Sequence, residues 1–251
     1  MTRRLLFASL LLLAGCDCSA ADEPGASAPT AEPAQEPAAP APTNPCRSLA
    51  DVREALSLDS ARLQRTEHEL SGEPPAELVV WHTEDDEGAD TDDVPTGAKR
   101  ARLWVIDCSG DAPRALGSEE LSFVDDPSAR RNTPNPAGLR MRPVSAGDRT
   151  FLRVDVTSLG ARVFSEDVVF LEVADGALRR VFGCETAYDS RDTEGELTAS
   201  VRREVTLDGE ADAPHVRVRR QRRGEGPIDE ASYAWAEGGF DPGDDADLCA
   251  D

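Results

Sequence analysis

Histidine is scarce in this chain, which has only His68, His82 and His215. None of the three lies beside a nucleophile in a signature arrangement, and none falls at a zinc-ligating spacing. The G-x-S-x-G turn of hydrolases, the H-E-x-x-H helix of metalloproteases, the P-loop and the glycine-rich dinucleotide turn are all missing. With 49 acidic residues, carboxylate pairs can be drawn almost anywhere, so no glycosidase pair stands out. No catalytic residue, metal ligand or cofactor site is therefore assigned. Positive charge is also short: 27 Lys and Arg against 49 Asp and Glu leave a formal charge of −22. Such a balance repels nucleic acid and anionic membrane surfaces. Long apolar runs are absent, and the run at 5–13 falls short of the about 20 residues that span a bilayer.

That short run sits in a specific setting. Arg3 and Arg4 precede it, Ala14 and Gly15 come after it, and Cys16 is next. The order of charge, apolar run, small residues and cysteine resembles the bacterial lipobox, in which the cysteine thiol is diacylated and the bond before it is cleaved. The resemblance implies a signal peptide at 1–15, a lipid on Cys16, and attachment to the bacterial cell envelope on the periplasmic or outer face of a membrane. Loss of Arg3 and Arg4 would take the net charge from −22 to −24. Asp17 resembles an inner-membrane retention signal, but lineages differ and the choice of membrane stays open. Cys18 is a spare thiol, a disulfide partner or a bystander, and we read it as the last. Residues 16–45 are rich in Ala and Pro and have no large apolar side chain, so we expect a disordered linker that holds residues 46–251 away from the membrane. No second linker of this kind interrupts 46–251, so a single domain is expected there.

Four cysteines fall in that region: Cys46, Cys108, Cys184 and Cys249. An even number in an oxidising compartment favours two disulfides, and no C-x-x-C pair supports zinc. Three connectivities are possible. We favour Cys46 with Cys249, which would clamp the ends of the domain, leaving Cys108 with Cys184.

Segments 76–83, 100–107, 150–158, 167–173, 178–184, 197–207, 215–220 and 231–237 are enriched in β-branched and aromatic residues and mostly bounded by Gly, Pro, Asp or Asn. They read as strands. Asp175-Gly176 lies between two of them and suits a tight hairpin turn. One helix is expected at 48–56, with Ser48 as N-cap and an apolar face of Leu49, Val52, Ala55 and Leu56. The fold class is mainly β: antiparallel sheets of hairpins, partly propeller-like or sandwich-like, with one short N-terminal helix.

Two windows echo each other: "ELSGEPPAELVV" (69–80) and "TLDGEADAPHVRV" (206–218). They resemble FG-GAP and VCBS-type β repeats, as does the later "YAWAEGGF". In that family an Asp-rich loop binds calcium, which would imply Glu69, Ser71, Glu73 and Glu77 in the first copy. In the second the implied positions are Thr206, Asp208, Glu210 and Asp212. The motif's second glycine is Pro74 in one copy and Ala211 in the other, which hinders the sharp turn around an ion, so surface turns without metal are expected. The acidic run at 83–93 fits no EF-hand spacing and reads as a solvated loop. A basic stripe runs through "HVRVRRQRR". Val216 and Val218 should face the core, with Arg217 and Arg219 outside and Arg220, Arg222 and Arg223 in the following turn. The stripe either contacts a polyanion or pairs with the protein's own carboxylates, and the excess of acid favours pairing.

The sequence reads as a lipid-anchored, disulfide-stapled β module of structural or binding function. Its expected partners are the membrane, through the lipid, and an envelope protein or polymer, but not nucleic acid. The alternative is a hydrolase of envelope polymers whose site forms only on folding.

Overall fold

Asp175 and Gly176 take positive φ values of 53° and 69°, the combination that lets a two-residue turn follow the right-handed twist of its flanking strands. They join β7 (Val163–Ala174) to β8 (Ala177–Arg191). Glu237 and Gly238, at 41° and 91°, do the same between β11 (Asp229–Ala236) and β12 (Gly239–Asp241). The computed structural model describes residues 44–58, 63–72, 76–86, 97–129, 136–209, 213–222, 228–243 and 247–250.

Within each of two sheets every strand pairs antiparallel with its neighbours in the chain, giving two meanders. The smaller contains β1 (Gln64–His68), β2 (Glu77–Asp85), β3 (Ala98–Asp107) and β4 (Arg114–Val124). The larger runs from β5 (Gly138–Ala146) and β6 (Arg149–Leu159) through β7 and β8 to β9 (Leu197–Asp208), β10 (His215–Arg222), β11 and β12. The fold is mainly β and sandwich-like. Both echoed windows are hairpin connections, between β1 and β2 and between β9 and β10.

Three apolar layers hold the sheets. Val79, Leu103, Val105, Leu121 and Phe123 of the small sheet pack against Leu152, Val154, Val169 and Leu171 of the large one. On the small sheet's other face Leu78, Val80, Trp104 and Ile106 are covered by Val52, Leu49 and Leu56. Val52 belongs to α1 (Leu49–Ala55), the one α-helix among the described residues, whose N-cap Ser48 accepts from the Ala50 amide at 3.2 Å. Ala55, expected on the apolar face, is exposed. The other face of the large sheet carries Phe151, Phe170, Phe182, Val216, Val218 and Tyr233. Because β2, β3 and β7 are covered on both faces, they read as continuous apolar runs instead of alternating ones.

The large sheet rolls onto itself. Phe240 of the last strand meets Phe151 of β6 at 5.6 Å between ring centroids and Phe182 of β8 at 6.1 Å. At the opposite edge the end of β9 reaches β5. A Cβ on Gly209 would stand 2.6 Å from both Ala146 Cα and Gly147 N, so only glycine fits that approach.

Two disulfides staple these layers. Cys46 bonds to Cys108 and Cys184 to Cys249, with Cα separations of 5.6 and 4.8 Å. The favoured pairing of Cys46 with Cys249 and Cys108 with Cys184 is corrected. Residue 46 enters the layer outside the small sheet, next to the end of β3, whereas Cys184 and Cys249 lie with the rolled face of the large sheet. Closing loops with separations of 62 and 65 residues stabilises the fold by about 4 kcal/mol each on loop-entropy grounds.

Candidate functional site

The rolled face ends in a mouth, and the chain's own segment 247–250 sits in it. Leu248 is 3 % exposed and joins the aromatic cluster. Its amide donates to the Tyr233 hydroxyl at 2.8 Å, and its carbonyl accepts from Arg203 Nε at 2.7 Å. Tyr233 in turn donates to Asp247 Oδ1 at 2.9 Å. The same carboxylate oxygen accepts from the Cys249 amide at 2.9 Å and the Ala250 amide at 3.2 Å. The Cys184–Cys249 bond completes the attachment.

These contacts set the protonation states. Burial pushes the Tyr233 phenol up to about 12, and its hydrogen bond to Asp247 adds to the shift. For Asp247, burial pushes upward, but the hydrogen bonds from the Cys249 amide, Tyr233 and the Ala250 amide outweigh it and lower the pKa. At neutral pH the pair is therefore a neutral phenol donating to a carboxylate.

Beside this latch lies a cavity of ≈ 230 Å³ lined by Phe182, Gly183, Tyr233, Phe240, Pro242, Asp247, Cys249 and Ala250. Aromatic walls and one already hydrogen-bonded carboxylate suit the seating of a small apolar group better than proton transfer.

Arg203 links the latch to a second polar cluster. Its side chain is 1 % exposed, reaches the Glu185 carbonyl at 3.0 Å and pairs with the Glu185 carboxylate at 3.4 Å. Asp167 lies cross-strand from Glu185. Burial raises its pKa, against the pull of the Arg180 and Arg203 charges.

The basic stripe is internally paired at Arg217, Arg219 and Arg220. Val216 and Val218 are fully buried, as expected. Arg217 pairs with Asp208 at 3.0 Å and Glu230 at 3.6 Å, and Arg219 with Glu230 at 3.3 Å and Glu204 at 3.7 Å. This cross-strand ladder spans β9, β10 and β11. Arg220 lies within β10 and not in a turn, with Asp229 at 2.9 Å. Arg222 ends the strand; its side chain and Arg223 lie outside the described residues.

Of the described calcium positions, Glu77 and Asp208 have other work. Glu77, 5 % exposed, accepts from the Leu70 amide at 2.8 Å and the Ser71 amide at 3.2 Å, closing its own turn. Asp208 faces His215 at 3.5 Å as well as Arg217. Glu73, Pro74, Glu210, Ala211 and Asp212 lie outside the described residues. Among the described residues no group of three or more metal-binding side chains converges. The start of the acidic run, expected as loop, extends β2 to Asp85. Asp85 pairs there with Lys99, and Asp86 with Arg100 at 3.1 Å. Residues 87–93 lie outside the described ones.

His68 and His215 close the two echoed hairpins, cross-strand from Glu77 and Asp208. His82 stacks on Trp104 with ring centroids 5.4 Å apart. Cys16, Cys18 and the linker up to residue 43 lie outside the described residues. No helix among the described residues is long and apolar enough to cross a membrane. Sequence reasoning did not anticipate the latch: Tyr233 was legible only as part of the repeat-like "YAWAEGGF", and nothing local ties it to Asp247. No protein-family model, curated protein or solved structure matches the chain.

Proposed function

We propose that the chain is a cell-envelope lipoprotein in which Cys16 carries the lipid, residues 16–45 form a spacer, and 46–251 form a non-catalytic structural or binding module. One observation carries this reading. The four cysteines of the folded part form two disulfides, and such bonds persist in oxidising compartments, where an exported protein would reside. The partners are the membrane, through the lipid, and an envelope protein or polymer.

The cavity beside Tyr233 favours binding over hydrolysis. Asp247, the one lining carboxylate among the described residues, already accepts three hydrogen bonds on one oxygen, whereas a glycosidase requires two free carboxyl groups at a set separation. In this reading the FG-GAP-like hairpins β1–β2 and β9–β10 keep the repeat's shape, with Glu77 and Asp208 serving the fold instead of an ion.

The anchor is tested by changing Cys16→Ser. The wild-type chain should incorporate a fatty-acid analogue and sediment with membranes, while the variant should do neither. Equal labelling of both would overturn the assignment.

A further inference from the structure

The two disulfides differ in their surroundings. Cys46 and Cys108 are 5 % and 4 % exposed and lie in the apolar layer beneath α1. Cys184 is likewise buried at 5 %, but its partner Cys249 is half-buried and lines the ≈ 230 Å³ cavity. One partner of the second bond thus borders the cavity, whereas both partners of the first are buried.

We propose that Cys184–Cys249 is a thiol–disulfide exchange site, and that its reduction releases segment 247–250 from the mouth of the rolled sheet. The co-reactant is a dithiol reductant, either a small molecule or a protein. Its thiolate enters at the cavity and attacks Cys249 Sγ, forming a mixed disulfide, and Cys184 Sγ leaves as a thiolate that takes a proton from water. The reductant's second thiol then attacks its own sulfur in the mixed disulfide. Cys249 leaves as a thiolate and is protonated, and the reductant closes to its cyclic disulfide. Two electrons pass from the reductant to the cysteine pair. Exchange of this kind depends on access to the attacked sulfur, which the burial of Cys46 and Cys108 denies.

Release follows from the balance of forces on the segment. Without the bond it is held by one buried side chain, Leu248, and by the hydrogen bonds to Tyr233 and Arg203. Those gains are comparable with the entropy of keeping four residues ordered. The covalent link therefore decides whether the segment stays. Its departure uncovers Phe182, Tyr233 and Phe240 and leaves a thiol at Cys184, so the mouth has an oxidised, plugged state and a reduced, open one.

The test is a titration of the full chain with dithiothreitol. Free thiols are trapped with N-ethylmaleimide and located by mass spectrometry, and hydrogen exchange is followed in parallel. Cys184 and Cys249 should be alkylated at a reductant concentration at least about tenfold below that needed for Cys46 and Cys108. In the singly reduced protein the Leu248 amide should lose protection while the amides of β6 to β8 keep theirs. The double variant Cys184→Ser/Cys249→Ser should show the same loss without reductant. Alkylation of all four cysteines together, or of Cys46 and Cys108 first, would overturn the exchange site. Full Leu248 protection in the singly reduced protein and in the double variant would overturn the release.

Discussion

Tyr233 donates its hydroxyl proton to Asp247 Oδ1 at 2.9 Å, across the seam between β11 and the segment that fills the sheet's mouth. The phenol oxygen itself accepts from the Leu248 amide at 2.8 Å. One phenol thus satisfies a buried donor and orients the carboxylate that caps Cys249 and Ala250. Changing Tyr233→Phe keeps the ring against Phe182, whose centroid is 5.4 Å away, and strands the Leu248 amide. We expect a loss of about 1–3 kcal/mol, measurable by urea unfolding. The folded-state pKa, raised from 10.0 to about 12, sets the sign at high pH. The contribution is fully present below the unfolded value and fades as pH climbs through about 12. The variant should lack that alkaline decline.

Asp107 offers the opposite limb. It accepts from Ser109 Oγ at 2.6 Å, from the Ser109 amide at 2.8 Å and from Arg114 at 2.8 Å. Those bonds, the Ser109 hydroxyl first among them, lower its pKa from 3.8 to about 2. A depressed carboxylate stabilises the fold above its unfolded pKa and stops doing so as pH falls through the folded one. The loss should therefore fall between pH 3.8 and about 2. Asp107→Asn should cost about 1 kcal/mol near neutrality, since the site is partly exposed and screened. It should also flatten stability across that acid window, as followed by denaturant titration at stepped pH. An unchanged acid limb would show that Asp107 does not carry it.

Gly209 and Gly176 separate close approach from backbone strain. A Cβ at Gly176 meets nothing nearer than Arg114 at 3.9 Å, so Gly176→Ala should cost only the positive φ, about 1 kcal/mol. At Gly209 the added carbon stands 2.6 Å from backbone atoms of residues 146 and 147, so the strands must part. Gly209→Ala should cost about 2–3 kcal/mol, as overpacking does. Equal losses in the two variants would remove the β5–β9 contact as an explanation of the roll.

Calcium should leave the protein unchanged. Glu77 and Asp208 already serve the Leu70 and Ser71 amides and Arg217, so an ion would have to displace bonds that close each hairpin. At constant ionic strength the melting temperature should be the same in millimolar calcium and in chelator. A rise of several degrees that vanishes with Asp208→Ala would establish a working ion site.

Much of the fold was legible because its signals are local. Val216 and Val218 alternate with Arg217 and Arg219, and the pleat alone turns the valines inward. Ser48 caps α1 and Asp175-Gly176 turns the β7–β8 hairpin through atoms a few residues apart. The strands that escaped notice have weak local patterns for identifiable reasons. β1 is a polar edge strand, Gln64–His68, whose outer side needs no apolar residues. β5 contains Pro143, tolerated because β5 is the opposite edge of the large sheet. β4 interleaves Gly117, Glu119 and Glu120 with its apolar positions, so no clean alternation survives.

By itself, then, the sequence determined the β class, most of the buried strands, their inward faces, the helix start and the tightest turn. Each of these comes from chemistry between near neighbours in the chain. Only the tertiary structure decided which cysteines bond, because pairing depends on which layer each strand enters: Cys46 goes beneath α1 beside Cys108, and Cys249 goes into the rolled sheet beside Cys184. It also decided that Arg203, one arginine among many in the sequence, is buried against the Leu248 carbonyl. It brought Tyr233 to Asp247 as well. Those contacts join residues whose sequence neighbours carry no distinguishing pattern, and the roll of the large sheet brings them together; no local periodicity encodes that.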